Sequence, residues 1–555
     1  MEIVTLTLWL LLLVSLTGLI AQALPPVLPI PLLQIILGSV VSYFPNFPKI
    51  TLDPELFMIL FIPPLLFLDS WQLPQREFFR LKKDILGLAI GLTLLNVVIG
   101  GYLIHHWITS LPLAISFVLA AILSPTDVVA VLAITKRLQL PSSTQHLLAG
   151  EALINDASSL IALKFALATV ISGTFSFGSA VQKFVVITGG SIVLGMLVAY
   201  LFNQLRARLM NPQLATHPLQ TLLLFLLLPF GTYLIAEHYS LSGILAVVAA
   251  GMSLSHLKSI HADSSAARLQ ARSFWPFLEF IFNGLIFLLL GLQIPQNLQS
   301  LSQKLLMDRP NLHLLITIGG ITLLLLLLRL AWLLVPLLLT RGRSGQRDQE
   351  SWLNRASLGS ITFSGIRGVI TLAAALSLPL CLPDGTPFPA RELLIVIAVG
   401  VILCTLLLGT LVLPYCVTKI PVTVAAAEQS EEQQARFAVQ QAALQQIEQD
   451  QKHYHEYWTD HPHGPQLLQL LNQACDGLKH SCLQQPLAEE QDHSKIHRPL
   501  MSILQRMQHN VLQAERQILY QLRLQNSIND ITLRKLEREL DLKEAGLQND
   551  TQYSV

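Results

Sequence analysis

The chain has 555 residues, with 36 Lys and Arg against 35 Asp and Glu, only 13% charged residues and a mean hydropathy of +0.54. That composition places it among polytopic membrane proteins rather than soluble domains, and the near-zero net charge implies no nucleic-acid partner. Five cysteines (Cys381, Cys404, Cys416, Cys475 and Cys482) form no CxxC pair, which argues against a disulfide framework or a zinc site and for buried, inert thiols.

Met1-Glu2-Ile3 lacks the basic residues of a signal peptide, and the apolar run to Leu24 is too long for a signal core. It reads as a first membrane helix that is retained. A span needs roughly 20 apolar residues to cross about 30 Å of hydrocarbon, and on that rule the chain holds about 13. Their limits are 3–24, 27–45, 54–71, 84–105, 111–134, 147–172, 180–203, 219–237, 241–257, 274–294, 312–340, 358–380 and 391–418. Lys and Arg collect in the loops after odd-numbered spans: Arg76, Arg80, Lys82 and Lys83; Lys136 and Arg137; Arg206 and Arg208; Lys258, Arg268 and Arg272; Arg341, Arg343, Arg347 and Arg355. The loop with Lys304 and Arg309 runs mildly against this. Basic residues favour the cytoplasmic side, so the N-terminus is expected outside and the C-terminus inside.

From about residue 420 the composition turns to Gln, Glu and Arg with spaced Leu and Ile. This divides the chain into a membrane domain, 1–420, and a cytoplasmic helical tail, 421–555, expected to be regulatory or self-associating. Met507 to Leu542 reads as amphipathic helix, with Val511, Ile518, Leu519 and Leu522 on one face and Leu533, Leu536 and Leu540 continuing it. Among the tail histidines His453, His455, His461 and His463, a solvated surface role is favoured over metal binding or pH sensing.

Ionisable residues inside apolar spans are costly, and they usually face a water-filled site and work there. In the fifth span Pro125 precedes Thr126 and Asp127. A proline removes a helical hydrogen bond, and in a membrane the freed backbone must face a cavity or packed protein. The segment therefore reads as a broken helix with Ser124, Thr126 and Asp127 at an ion site, or as a kink that Asp127 caps; the two are compatible. In the sixth span Glu151 and Asn155 stack on one face and Asp156 lies about 100° round. Asp156 falls about 13 Å deep, near midplane. A carboxylate there can trade a proton for a hard cation, which prefers oxygen ligands; a plain structural hydrogen bond is the alternative.

Two buried arginines, Arg329 and Arg367, are available to hold Glu151. Arginine does not deprotonate in proteins, so neither carries the proton. The favoured pair is Arg367 with Glu151, because Gly365 and Gly368 suggest a second unwound segment. Of the lesser candidates, Asp69 lies at the end of a span kinked by Pro63-Pro64. Lys164 is expected to snorkel. Glu279 and Asn283, one turn apart, either hydrogen-bond within their helix or line the path. His105 and His106 read as interfacial.

The run Phe61-Ile62-Pro63-Pro64-Leu65-Leu66-Phe67, the Ser124–Asp127 and Glu151–Asp156 segments, Ser242-Gly243-Ile244-Leu245, Asn283-Gly284 leading to Gly291, and Ser364-Gly365-Ile366-Arg367-Gly368 together resemble the NhaP-type sodium/proton antiporters. These belong to the monovalent cation–proton antiporter group that includes the animal sodium/hydrogen exchangers. The resemblance covers all the expected spans in order, and Leu536–Leu542 is similar to tails of the group. It implies an all-α homodimer in a bacterial inner membrane, with inverted repeats, discontinuous helices, and dimerisation and core domains. It further implies sodium and proton binding at Asp156 beside Thr126, Asp127 and Asn155, a buried Glu151–Arg367 ion pair, and electroneutral exchange from Asn155 preceding Asp156. Leu68 stands where some relatives carry an acid, a departure that bears on any role the resemblance would give to Asp69. Potassium/proton exchange is the nearest rival, followed by an aspartyl hydrolase using Asp127 and Asp156, and by a channel. No cofactor is implied.

Overall fold

The computed structural model describes residues 2–23, 29–44, 54–135, 140–172, 177–209, 218–256, 265–304, 310–339, 355–420, 425–458, 464–483 and 498–552. Apart from an isolated bridge between Cys381 and Pro387, its regular structure is helical. Cα packing gives two compact units, one of Met1–Leu209, Leu223–Lys258 and Phe274–Val424, the other of Met210–Leu222, Ser259–Ser273 and Ala425–Val555. The basic positions Lys136, Arg137, Lys258, Arg309, Arg341, Arg343 and Arg347, and the histidines His461 and His463, lie outside the described residues.

The first unit opens with α1 (Glu2–Ala23), α2 (Ile30–Ser42) and α3 (Pro54–Gln72). A single helical rod follows, made of α4 (Gln75–Leu86), α5 (Thr93–Leu95) and α6 (Gly101–Trp107) joined by π-helical stretches at Gly87–Leu92 and Asn96–Gly100. It starts well before the expected limit at 84, because its first turns carry Arg76, Arg80, Lys82 and Lys83, which a hydropathy window rejects. Next come α7 (Leu113–Ile122), α8 (Val128–Thr135), α9 (Ser142–Ser172), α10 (Phe177–Leu209), α11 (Pro218–His238; in this unit from Leu223) and α12 (Gly243–His256). The unit closes with α13 (Ser265–Lys304; in this unit from Phe274), α14 (Pro310–Leu339), α15 (Arg355–Phe363), α16 (Val369–Leu376) and α17 (Arg391–Val417). Among the described residues, 7 helices are long and apolar enough to cross a membrane, with shorter apolar helices between them. Two expected spans are interrupted: the fifth is α7 and α8, parted at 123–127, and the twelfth is α15 and α16, parted at 364–368.

These helices pack in two groups. In one, α10 lies on α12, α12 on α3, and α1 and α2 on α13. Backbones touch where side chains are missing: a Cβ on Gly38 would strike the Leu288 carbonyl, and one on Gly291 the Ile35 carbonyl. Ser39 and Ser42 then donate to the carbonyls of Gly291 and Leu292 at 3.0 and 2.9 Å. Aromatic contacts add Phe61–Phe282 and Phe67–Trp275 between α3 and α13, and Phe225 of α11 against Trp71 and Phe202. In the other group α9 packs on α4 and α7, and α17 on α8, α14, α15 and α16. The groups meet where α3 touches α9 and α16.

The second unit contains α18 (Ala425–Trp458), α19 (Gly464–Leu483), α20 (Arg498–Leu524) and α21 (Asp530–Gln552). One apolar cluster joins α18, α19 and α20 through Ala443, Ile447, Leu471, Cys475, Met507 and Val511. A second joins α18, α20 and α21 through Ala435, Val439, Leu512, Leu519, Leu536 and Leu540. The single helix expected from Met507 to Leu542 is therefore two. Asn526 takes a left-handed φ of 56° to end α20, and Asn529 Oδ1 accepts the Thr532 N–H at 2.7 Å to start α21. Arg436 grips Glu539 with both terminal nitrogens at 2.7 and 2.6 Å. Cys475 is buried, which pushes its thiol up to about 11, whereas Cys381 is exposed, against the expectation of buried thiols. His453 and His455 are exposed.

Candidate ion-binding site

The two interruptions run against each other. The Asp127 N–H donates to the Ile366 carbonyl at 2.7 Å, and Thr371 Oγ1 reaches the Pro125 carbonyl at 3.5 Å. Four half-helix ends thus converge in the interior: the C-termini of α7 and α15, and the N-termini of α8 and α16. Half-helix N-termini carry partial positive charge and C-termini partial negative charge, so each end wants a counter-charge. Asp127 serves the N-termini. Its Oδ1 accepts the Ala130 N–H at 3.1 Å, and its carboxyl lies over Gly368 so closely that a Cβ there would collide with it. Arg367 serves the C-termini, donating from Nε to the Leu123 carbonyl at 2.9 Å and from a terminal nitrogen to the Gly365 carbonyl.

This use of Arg367 corrects the expected ion pair. Glu151, 0% exposed, is held instead by Arg329 of α14, 1% exposed, whose two terminal nitrogens donate to its two carboxylate oxygens. Arg329 Nε also donates to the Ile361 carbonyl at 2.8 Å, tying α9, α14 and α15 together. The physical reason is simple: an unwound segment exposes carbonyls, and the arginine within it is consumed in satisfying them.

Asn155 of α9 faces the first interruption, and Asp156 next to it is within electrostatic reach of Asp127. Asn155 Nδ2 donates to the Ser124 carbonyl at 3.1 Å and to Thr126 Oγ1 at 3.3 Å. Its Oδ1 accepts from Thr93 at 2.5 Å and from Ser159 at 2.9 Å. Asp156 is 7% exposed, and its Oδ1, like Ser124 Oγ and Asp127 Oδ2, is buried with no protein hydrogen-bond donor. Buried oxygens left this way are expensive, and a hard cation or a proton relieves them.

The remaining candidates fall around this centre. Asp69 of α3 is within electrostatic reach of Asp127, Asp156 and Glu279, and Glu279 of α13 within reach of Asp127. Asn283 is partly buried one turn beyond Glu279. Lys164 donates to both oxygens of Glu237 at 3.0 and 3.2 Å, and Glu237 also accepts the Gly243 N–H that opens α12. His105 Nδ1 meets the Leu111 carbonyl at 2.8 Å, while His106 is exposed. Thr93, Ser158 and Ser159 were not picked out from the sequence, nor was Thr405, whose Oγ1 accepts the Arg367 N–H at 3.1 Å. Hydroxyls in apolar helices commonly bond back to their own i−4 carbonyl, so they carry little signal alone. The π-helical stretches beside Thr93 are the local irregularity that marks it, and such turns often sit at functional sites.

Residues 10–419 match the transmembrane sodium/hydrogen exchanger family. The chain belongs to the sodium/hydrogen exchanger family. The exchanger is 38% identical over 565 aligned positions to an uncharacterized Na(+)/H(+) exchanger of Escherichia coli strain K12, YjcE, with 100% of both chains covered. It is 42% identical over 396 positions to the sodium, potassium, lithium and rubidium/H(+) antiporter of Bacillus pumilus, covering 70% of this chain and 58% of that one. Its fold is similar to that of the sodium proton antiporter MjNhaP1 from Methanocaldococcus jannaschii, with a TM-score of 0.54, 18% identity, and coverage of 76% and 99%. It is therefore a multi-pass, all-helical membrane protein that exchanges monovalent cations for protons, and not an enzyme.

Proposed function

We propose that the exchanger moves cytoplasmic sodium, and lithium with it, out of a bacterial cell against external protons, electroneutrally, with cation and proton competing for Asp156. The observation that carries this reading is the buried Asp156 Oδ1, without a hydrogen-bond donor, beside the interrupted helix that bears Thr126 and Asp127. Ser124, Thr126, Asp127 and Asn155 complete the oxygen-rich surround. Glu151 with Arg329, and Arg367 at the helix ends, hold the frame.

In this account about 13 spans cross the membrane, with the N-terminus outside and the tail in the cytoplasm as a regulatory domain. Interruptions in the fifth and twelfth spans fit inverted repeats, since an offset of seven spans reverses direction. The group of α4 to α9 and α14 to α17 moves past the other group, which serves as scaffold and dimer interface in a homodimer. Alternating access requires contacts between the groups to break in each cycle, and Lys164–Glu237 is one of them. Asp69 and Glu279 line the approach of the cation.

A second reading is that potassium and rubidium are also carried. It is favoured by the 42% identity to a relative named for sodium, potassium, lithium and rubidium. Proteoliposomes with an inward pH gradient separate the readings. Sodium or lithium alone dissipating the gradient supports the first; potassium and rubidium doing so equally supports the second. Asp156→Asn should abolish both, and retained exchange in that variant would sink the assignment of Asp156.

A further inference from the structure

The Asn155 amide is fully engaged, and its partners have a second arrangement within reach. Each hydroxyl that faces its Oδ1 has one proton and two acceptors. Thr93 Oγ1 lies 2.5 Å from Asn155 Oδ1 and 2.7 Å from the Ala89 carbonyl. Ser159 Oγ lies 2.9 Å from the same Oδ1 and 2.6 Å from the Asn155 carbonyl. Ser158 reaches the same acceptors, 2.8 Å from the Ala89 carbonyl and 3.1 Å from the Asn155 carbonyl, and lies 3.4 Å from Thr93 Oγ1.

With the two hydroxyl protons on Oδ1, the amide is fixed with its NH2 toward Ser124 and Thr126. If those protons swing to the Ala89 and Asn155 carbonyls, both hydroxyl oxygens become acceptors. They can then receive the NH2 of an amide turned by half a rotation, and Oδ1 comes to lie beside the Ser124 carbonyl and Thr126 Oγ1. The C=O and NH2 of an amide are nearly the same size, so the turn needs no repacking. No proton leaves the network. In one setting the interruption is lined by amide donors; in the other it gains an oxygen next to the Ser124 carbonyl, Thr126 Oγ1 and neighbouring Asp156, the ligand type a hard cation takes.

We propose that Thr93 and Ser159 are positioning residues for exchange, whose hydroxyls set which end of the Asn155 amide faces the interruption and so help Asp156 hold the cation. The inference rests on the reading of Asp156 as the exchanging carboxylate. Thr93 is 2% and Ser159 0% exposed, so neither touches the cation's path as a surface group. Both act through Asn155.

The test is transport kinetics in proteoliposomes with Thr93→Val, which keeps the shape and loses the hydroxyl, Thr93→Ser, which keeps the hydroxyl, and Ser159→Ala. Loss of one buried hydrogen bond that favours the cation-holding setting should raise the sodium KM about tenfold in Thr93→Val and Ser159→Ala, with Vmax within about twofold. Thr93→Ser should restore the KM. A structural role alone would lower Vmax through the amount of folded protein and leave KM in place. An unchanged KM in both Thr93→Val and Ser159→Ala, or failure of Thr93→Ser to restore it, overturns the inference. Asp156→Asn in parallel keeps the failures apart: activity there refutes the site itself, whereas inactivity there with normal KM in the other variants refutes only the hydroxyl switch.

Discussion

Glu151 and Arg329 have no water to turn to if either is removed, because both lie within the bundle. Breaking such a pair leaves a lone buried charge and costs about 3–5 kcal/mol, while replacing both partners by neutral side chains of similar volume is often near neutral. Glu151→Gln and Arg329→Met should each lower the unfolding temperature in detergent, and the double substitution should recover most of the loss. Single variants as stable as wild type would contradict the pairing. Gly368 makes a different prediction, since any side chain there collides with the Asp127 carboxyl. Gly368→Ala should cost about 1–3 kcal/mol by overpacking, together with most of the exchange activity, checked in the same melts and in vesicles. The sequence made both arginines visible as buried charges, yet could not say which met Glu151. Arg367 is committed by carbonyls that exist only because two helices are broken, and that geometry is tertiary.

At the scale of elements, breaks were legible where a residue type enforces them. Pro125 announces the gap between α7 and α8, and Gly365 with Gly368 hints at the gap between α15 and α16. The gap between α20 and α21 was hidden, because the apolar period runs through it and the only marks are Asn526 and Asn529. The bundle those helices form should respond to pH through Glu515. Burial raises its carboxyl above the usual range, outweighing Lys543 at 3.6 Å. A raised folded-state value means the folded form holds the proton more tightly. The stability it contributes is fully present below the unfolded value, near 4.3, and is lost as pH rises through the folded one. Protection factors of the α20 amides, corrected for the intrinsic rise of exchange with pH, should therefore be lower at pH 7 than at pH 5 in the full-length protein. Glu515→Gln should flatten that dependence and increase protection at pH 7; an unchanged pH profile in this variant would rule Glu515 out as its source.

For the whole molecule, the membrane class, the presence of several long apolar helices and the tail's separate composition were readable from hydropathy, and loop charges suggested an orientation. The grouping of helices was not, because it depends on close approaches such as Gly38 to Gly291 that leave no periodic trace. Nor was the Lys164–Glu237 bridge, which joins residues 73 apart in sequence. An exposed ion pair is worth about 0–1 kcal/mol, so breaking it should barely change stability but shift the balance of access states by up to about fivefold. Lys164→Met and Glu237→Gln should each change the ratio of sodium KM values on the two faces, and the double variant should match either single one. Additive effects would show that the pair does not act as a unit. The most direct test of the central claim is proton release on cation binding, measured by titrating sodium into purified, weakly buffered protein. Competition at Asp156 predicts about one proton released per sodium bound by the wild type, and none by Asp156→Asn. Undiminished release from that variant would mean that another group exchanges the proton.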